Sequence, residues 1–363
     1  MTLPPRRIAA AAPGESWESV LWIGKGLLAG AGERLVSRSG RFVLVSSAGS
    51  RAPASEVARS LGDRVLARIQ IDDREEAKTL SAVERIADAA LSAGVRRDDA
   101  VVAVGGGVVC DVAGFAAAIL LRGVAWNAIP TTTGAMADAA IGGKTGVDHS
   151  TGKNLLGAFH PPATVVIDPA AAATLPDRDY RAGLVEAFKA AWIADADLAS
   201  RAENGIDRLL SRDEDALLDA VAGAAAIKAA IVSEDMKEGD RRRLLNFGHT
   251  LGHAFEAAGG YQDLRHGEAV AWGIAAALDI SSRRARLPRE EADRIRAALS
   301  RLGPFPQPSR DRGVLSSFLA RDKKFTSRGT AGVLLERIGR GQVVESVPLE
   351  EWLEAAERAS LTV

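Results

Sequence analysis

Five short runs rich in β-branched residues, most of them separated by helical periodicity, constrain the fold of this chain more than any other feature. They are RFVLVSS (41–47), VLARIQI (65–71), DAVVAVGGG (99–107), VAWNAIP (124–130) and TVVID (164–168). The connectors ASEVARSLG, REEAKTLSAVERIADAALSAG and VVCDVAGFAAAILLRG space their apolar residues as helices do. Strands alternating with helices imply a parallel sheet covered by helices. From about Leu175 the pattern changes. Long alanine-rich segments such as RDYRAGLVEAFKAAWIADADLASRAE and EDALLDAVAGAAAIKAAIVSEDMKEG follow, and strand signals nearly vanish until GTAGVLLERIG (329–339). The expectation is an α/β domain with a parallel-type sheet over 1–176 and a mainly α-helical domain over 177–363.

Bulk properties exclude several classes. The net charge of −1 gives no electrostatic case for nucleic acid or an anionic membrane, so any basic site is local. Cys110 is the single cysteine, which rules out an intrachain disulfide and a thiolate metal cluster. The N-terminal alanine run is too short for a signal core, and no stretch of about 20 uninterrupted apolar residues occurs. The expectation is a soluble, cytoplasmic protein.

Histidine is rationed and then clustered. Of five in the chain, His249, His253 and His266 fall within NFGHTLGHAFEAAGGYQDLRHGEAVAWG. His249 and His253 share a helical face, and imidazole is a common metal ligand, although two surface histidines would give the same spacing. GLVEAFK puts Glu186 and Lys189 three apart. Alone that is an ion pair; facing the histidines, Glu186 would complete a carboxylate–imidazole zinc set.

Other segments suit anions. Gly105, Gly106 and Gly107 follow a buried-looking strand and open a helix, as a pyrophosphate cradle does and as a simple tight turn also does. The segment PTTTGAMADAAIGGKTGVDHSTGKNLLGAFHPP (130–162) reads as a long polar loop. It sets Lys144 and Lys153 beside glycines, near Thr131, Thr132 and Asn154. Lys228 lies in an apolar stretch and needs an anionic partner. Glu238, Arg242 and Asn246 follow it, while Lys323 and Lys324 look like part of a solvated charge run.

Taken together, GGGVVCDVAGFAAA, LRG, IPTTTGAMADAAIGGKTGVDHSTGKNLLGAF, GLVEAFK, IKAAIVSEDMKEG, RRLLNFGHTLGHAFE, HGEAVAWG and RDKK resemble the 3-dehydroquinate synthase family of sugar-phosphate cyclases, in family order from about 75 to 340. The resemblance implies an N-terminal nucleotide-binding domain, a C-terminal metal- and substrate-binding domain, NAD and one divalent metal, zinc with cobalt as the alternative. It implies conversion of 3-deoxy-D-arabino-heptulosonate 7-phosphate to 3-dehydroquinate and phosphate, in the shikimate pathway.

By position the implied metal ligands are Glu186, His249 and His266, with His253 turned to the substrate phosphate. Lys144, Lys189, Lys228, Arg242, Asn246 and Asn154 would line the substrate pocket, with Asp138 and Glu238 in the same catalytic set. Lys324, rather than Lys323, would reach the phosphate. Arg122 would reach a neighbouring subunit's site, which implies a homodimer. The cofactor would lie on Gly105, Gly106, Gly107 and Asp111, near Thr131, Thr132, Lys144 and Lys153, with Glu75 and Lys78 at its adenosine end.

Three departures stand out, one of them a poorly matched N-terminal strand region. Thr133 and Gly134 replace two bulky residues near the cofactor, and Ser47 stands where the family's first strand carries a ribose-binding aspartate. Arg242 suits a substrate carboxylate, which heptulose 7-phosphate and glucose 6-phosphate lack. An aminodehydroquinate synthase would keep that arginine as well. A metal-dependent alcohol dehydrogenase, with a similar pair of domains, would have no need of the phosphate-binding lysines.

Overall fold

The β-branched runs become neighbouring strands of one sheet in the computed structural model, which describes residues 4–11, 17–321, 325–326 and 329–362. Strands β1 (Arg6–Ala10), β2 (Ser19–Ile23), β3 (Phe42–Ser47), β4 (Val65–Ile71), β5 (Ala100–Gly105), β6 (Ala125–Pro130) and β9 (Thr164–Ile167) align in the order β1-β2-β9-β6-β5-β3-β4. Every pairing is parallel except β1 with β2 at the edge. All six residues of β5 are buried, so its side chains can be apolar on both faces.

Three helices carry the crossovers: α1 (Arg51–Leu61), α2 (Leu80–Ser92) and α3 (Gly107–Ile119). The chain moves outward from β3 to β4, then returns to the other side of β3 to form β5. That reversal puts a topological switch point at the carboxyl ends of β3 and β5, where doubly wound sheets hold ligands. The switch falls on the Gly105–Gly107 turn.

The polar stretch after β6 is not a loop. Ala135–Ala139 is a π-helical turn, with Thr133 and Met136 fully buried beside it, and then β7 (Lys144–His149) and β8 (Gly152–Phe159) form an antiparallel hairpin. Glycine makes this hairpin possible. A Cβ on Gly157 would sit 2.2 Å from the Thr145 carbonyl oxygen, and one on Gly146 2.6 Å from that of Leu156.

The second half holds α4 (Asp177–Ala194), α5 (Ala196–Asn204), α6 (Ile206–Leu210), α7 (Glu214–Glu234), α8 (His249–Ala258), α9 (His266–Arg284), α10 (Arg289–Leu302), α11 (Arg312–Arg321) and α12 (Leu349–Arg358). Where one strand was expected, β10 (Phe325–Thr326), β11 (Gly329–Arg337) and β12 (Arg340–Val347) form an antiparallel sheet. Helix α9 is its core: it packs against α4, α8, α10, α12 and β11 and buries residues around its whole circumference.

A single division at residue 176 does not describe the compact units. The first contains 1–176 and 217–237; the second contains 177–216 and 238–363. Helix α7 therefore belongs with the sheet. It is long and apolar enough to cross a membrane by composition, but 56% of its apolar window is buried within the protein.

Candidate active site

In the first unit the glycine turn has the shape expected of an anion cradle. Gly106 caps α3, whose first N–H groups open at the end of β5. A Cβ on Gly106 would lie 2.9 Å from Cγ2 of Thr132, so only glycine fits between the turn and that side chain. Thr131 donates its N–H to the Gly105 carbonyl at 2.9 Å, and the Thr132 hydroxyl accepts from Ala135 N–H at 3.2 Å.

Beside it lies a charged network. Lys78 is 4% exposed; its ammonium stands 2.8 Å from Oδ2 of Asp111 and 3.8 Å from Glu75, and it donates to Oδ1 of Asn154. Burial works against its charge, but Asp111 and Glu75 overcome that penalty, and its pKa lies above the ordinary lysine value. Lys153 reaches Glu75 at 3.3 Å, and Asn154, with φ of 54°, donates its N–H to Asp148 at 2.7 Å. Residues Glu75, Lys78, Asp111, Lys153 and Asn154, scattered in sequence, are thus brought together, whereas Lys144 is exposed at the start of β7.

Ser47 offers no carboxylate, as its sequence implies. Its N–H donates to the Ser50 hydroxyl, which in turn donates to the Val104 carbonyl and ties the loop after β3 to β5. The Asp73 carboxylate approaches the same loop, 2.8 Å from where a Gly49 Cβ would stand.

Also in this unit, the Lys228 ammonium binds Asp138 twice, at 2.6 Å from its carbonyl oxygen and 2.7 Å from Oδ1. The anionic partner that its apolar surroundings demanded is therefore Asp138. Arg122 is exposed in a turn where Leu121, Arg122 and Gly123 all have positive φ.

The second unit holds the histidines. His249 opens α8, His253 lies one turn on, and His266 opens α9. Nitrogens of all three lie within 4.8 Å of one another. Glu186, on α4, has Oε1 3.6 Å from Nε2 of His266 and Oε2 2.5 Å from the Lys189 ammonium. Both Glu186 oxygens are buried, and neither has a partner with hydrogen-bond geometry.

Two close helix contacts hold these ligands in place. A Cβ on Gly273 would lie 1.9 Å from the Gly248 carbonyl oxygen, where α9 meets the start of α8. One on Gly267 would lie 1.8 Å from the Ala182 carbonyl oxygen, a turn before Glu186. The Arg178 guanidinium clamps buried Glu268 at 2.7 and 2.8 Å, fastening α4 to the first turn of α9.

The electrostatics suit a cation. Burial, then Lys189 and the facing imidazoles, push the His249 pKa well below the ordinary histidine value, so the ring is neutral near pH 7. Its Nδ1 donates to the Phe247 carbonyl at 3.2 Å, which leaves the Nε2 lone pair available. Clustered imidazoles and a buried carboxylate are the donor set of a transition metal, so the residues present fit zinc or cobalt. His253 is not set apart from His249 and His266; the rings are 5.3 and 5.8 Å away, centroid to centroid.

On the turn before α8, Arg242 is 1% exposed, and Asn246 donates to Glu238 at 2.7 Å. Lys323 and Lys324 lie outside the described residues. One residue at the cluster escaped the sequence reading: Glu256, 3% exposed, has Oε2 3.4 Å from Nδ1 of His266. Its signal was legible, because 249, 253 and 256 fall on one helical face.

A sheet with a glycine turn and a helical unit with a histidine–carboxylate cluster together make the fold of the sugar-phosphate cyclases. A solved 2-deoxy-scyllo-inosose synthase complexed with carbaglucose-6-phosphate, NAD+ and Co2+ superposes with a TM-score of 0.86 at 25% identity, over 98% of this chain and 100% of that one. The 2-epi-5-epi-valiolone synthase of Streptomyces hygroscopicus subsp. jinggangensis 5008, with NAD+ and Zn2+ bound, gives 0.83 at 31% identity over 96% and 98%.

Within that class the chain belongs to the 3-dehydroquinate synthase family. It matches the family's N-terminal part over residues 68–182 and its C-terminal part over 183–325. It is 41% identical to the 3-dehydroquinate synthase of Geobacter metallireducens over 79% of this chain and 80% of the relative. It is an enzyme.

Proposed function

We propose that this enzyme is a phosphate-eliminating carbon–oxygen lyase that converts 3-deoxy-D-arabino-heptulosonate 7-phosphate to 3-dehydroquinate and phosphate, in the cytoplasm, as a homodimer. Membership of the family across both halves carries the reading, and the Glu186–histidine cluster supports it. The conversion is redox-neutral: one carbon of the substrate is oxidised and re-reduced, phosphate leaves by β-elimination, and the ring opens and closes again by an aldol step.

Glu186, His249 and His266 would hold the metal, and the glycine turn with Asp111, Thr131, Thr132, Glu75, Lys78 and Lys153 would hold NAD+. When bound, the metal eases ionisation of a substrate hydroxyl and NAD+ takes and returns the hydride. The protein's own task is orientation and charge neutralisation. Lys228, fixed by the carbonyl oxygen and Oδ1 of Asp138, presents one compact ammonium in a set position. Lys189, 1% exposed, pins Glu186. Lys144, Asn154, Asn246, Glu238 and His253 complete the polar set, with His253 facing the phosphate.

Buried Arg242 favours a carboxylated substrate, since a guanidinium pairs bidentately with carboxylate. Arg122 supports the dimer: its exposed turn follows exposed Ile119, and Leu155 and Phe159 on β8 are also exposed apolar residues that a second copy would cover.

The test is phosphate release and dehydroquinate formation from the heptulosonate phosphate with catalytic NAD+ and zinc. Heptulose 7-phosphate and glucose 6-phosphate serve as competing substrates. Turnover confined to the sugars without a carboxylate overturns the substrate assignment.

A further inference from the structure

We propose that Glu256 is a positioning residue of the metal centre: it accepts the Nδ1–H of His266 and so fixes the tautomer that turns Nε2 toward the ion. The inference rests on the reading of Glu186, His249 and His266 as ligands and adds a residue outside that set.

His266 lies between two carboxylates. Oε1 of Glu186 is 3.6 Å from Nε2 on one side of the ring, and Oε2 of Glu256 is 3.4 Å from Nδ1 on the other. A single ion can use only one of these nitrogens. On the Glu186 side Oε2 faces the Lys189 ammonium, while buried Oε1, the oxygen nearer His266, has no hydrogen-bond donor, which is the deficit a metal ion fills. Nδ1 is then left for Glu256. A neutral imidazole carries one N–H, and a carboxylate 3.4 Å away holds that proton on Nδ1.

His249 is arranged alike. Its Nδ1 meets the Phe247 carbonyl, which leaves Nε2 for the metal. Both rings thus present the same nitrogen, one oriented by a backbone carbonyl and one by a carboxylate, as outer hydrogen bonds orient ligating histidines in general. His266 needs the stronger constraint. Its side chain is 47% exposed, so packing holds it less than Glu256, which is 3% exposed and set rigidly in α8. The position of Glu256 follows from the helix: seven residues after His249 and three after His253, it returns to the face that meets α9.

The experiment compares wild type, Glu256→Ala, Glu256→Gln and Glu256→Met. Zinc affinity is read by competition with a chromophoric chelator, the visible spectrum is read on the Co2+-loaded protein, and long-range 1H–15N NMR reads the His266 tautomer in metal-free wild type. Glu256→Ala should weaken zinc binding by about 10–100-fold and shift the cobalt bands. Glu256→Gln keeps an acceptor oxygen and should restore most of the affinity, whereas Glu256→Met, which fills the space but offers no acceptor, should not.

Wild-type affinity and spectrum in Glu256→Ala would overturn the proposal, as would a wild-type His266 proton on Nε2. If the alanine variant fails to fold, the glutamine variant and the wild-type tautomer decide the matter. Failure of wild type to bind zinc would sink the ligand assignment instead, and the tautomer measurement would still decide the role of Glu256.

Discussion

Gly273→Ala tests whether helix contact, rather than ligand chemistry alone, builds the metal centre. The new methyl carbon would stand 1.9 Å from the Gly248 carbonyl oxygen and 2.8 Å from the Gly252 nitrogen. An ordinary carbon–oxygen approach is about 3.3 Å, so α9 and the start of α8 must part by roughly 1.4 Å. Both contacts are with backbone in a packed core, so rotamer changes cannot absorb the shift. Overpacking of this kind costs about 1–3 kcal/mol. The larger effect falls on the ligands. His249 opens α8 and His266 opens α9, whereas metal–ligand distances tolerate only about 0.2 Å.

The variant should therefore fold with a lowered midpoint and bind zinc at least about 100-fold more weakly, a loss near 2.7 kcal/mol. Chelator competition gives the affinity, and thermal unfolding of the metal-free protein gives the stability. Unchanged zinc affinity, with or without a lower midpoint, would refute the argument. Gly267→Ala should behave similarly, through α4 and Glu186.

Three further outcomes follow from other parts of the molecule. Lys228→Met should fold yet lower kcat/KM by on the order of 10²-fold or more; Lys228→Arg should not restore it, because two oxygens of one residue at 2.6 and 2.7 Å fit a compact ammonium. Gly106→Ala should weaken NAD+ binding by about tenfold in a direct titration, with the loss traced to contact with Thr132, and unchanged affinity would contradict the cradle. Asp99 is fully buried and accepts from Ser39, from Arg41 twice and from Arg96 N–H, and these bonds outweigh burial and hold its carboxyl below the usual range. A carboxyl depressed in the folded state stabilises above its unfolded pKa of about 3.9, and that stability is lost as pH falls further. Asp99→Asn should cost about 2 kcal/mol in urea unfolding at pH 7 and less toward pH 2, and a pH-independent loss would count against the ionic origin.

The parallel sheet was legible because its inner strands β3, β5, β6 and β9 are largely buried on both faces and therefore read as continuous apolar runs. Strand β4 coincides with VLARIQI, and β3, β5, β6 and β9 fall within their predicted runs. The β7–β8 hairpin was hidden for the opposite reason. Gly146 and Gly157 serve close backbone approach there, and glycine without structural context signals a loop. Strand β1 carries a single β-branched residue, and β12 mixes Val343, Val344 and Val347 with polar residues on a mostly half-exposed edge, so neither reads as a continuous run. At the centre, the histidines and Glu186 announced themselves by type, and Glu256 shares a helical face with two of the histidines, but the glycines that set helix spacing acquire meaning only from which helices touch.

Helix α7 has a consequence for how such chains can be recombined. The polypeptide leaves the first unit after 176, returns at 217 and leaves again after 237, so the second unit is encoded in two separate blocks. A chimera joined at 176 alone would take the Lys228 helix from one parent and Asp138 from the other, splitting an ion pair between two lineages. Exchange of a whole unit requires three breakpoints. The same order governs synthesis: the sheet unit is incomplete on the ribosome until residue 237 has emerged, by which time the first block of its neighbour has already been made.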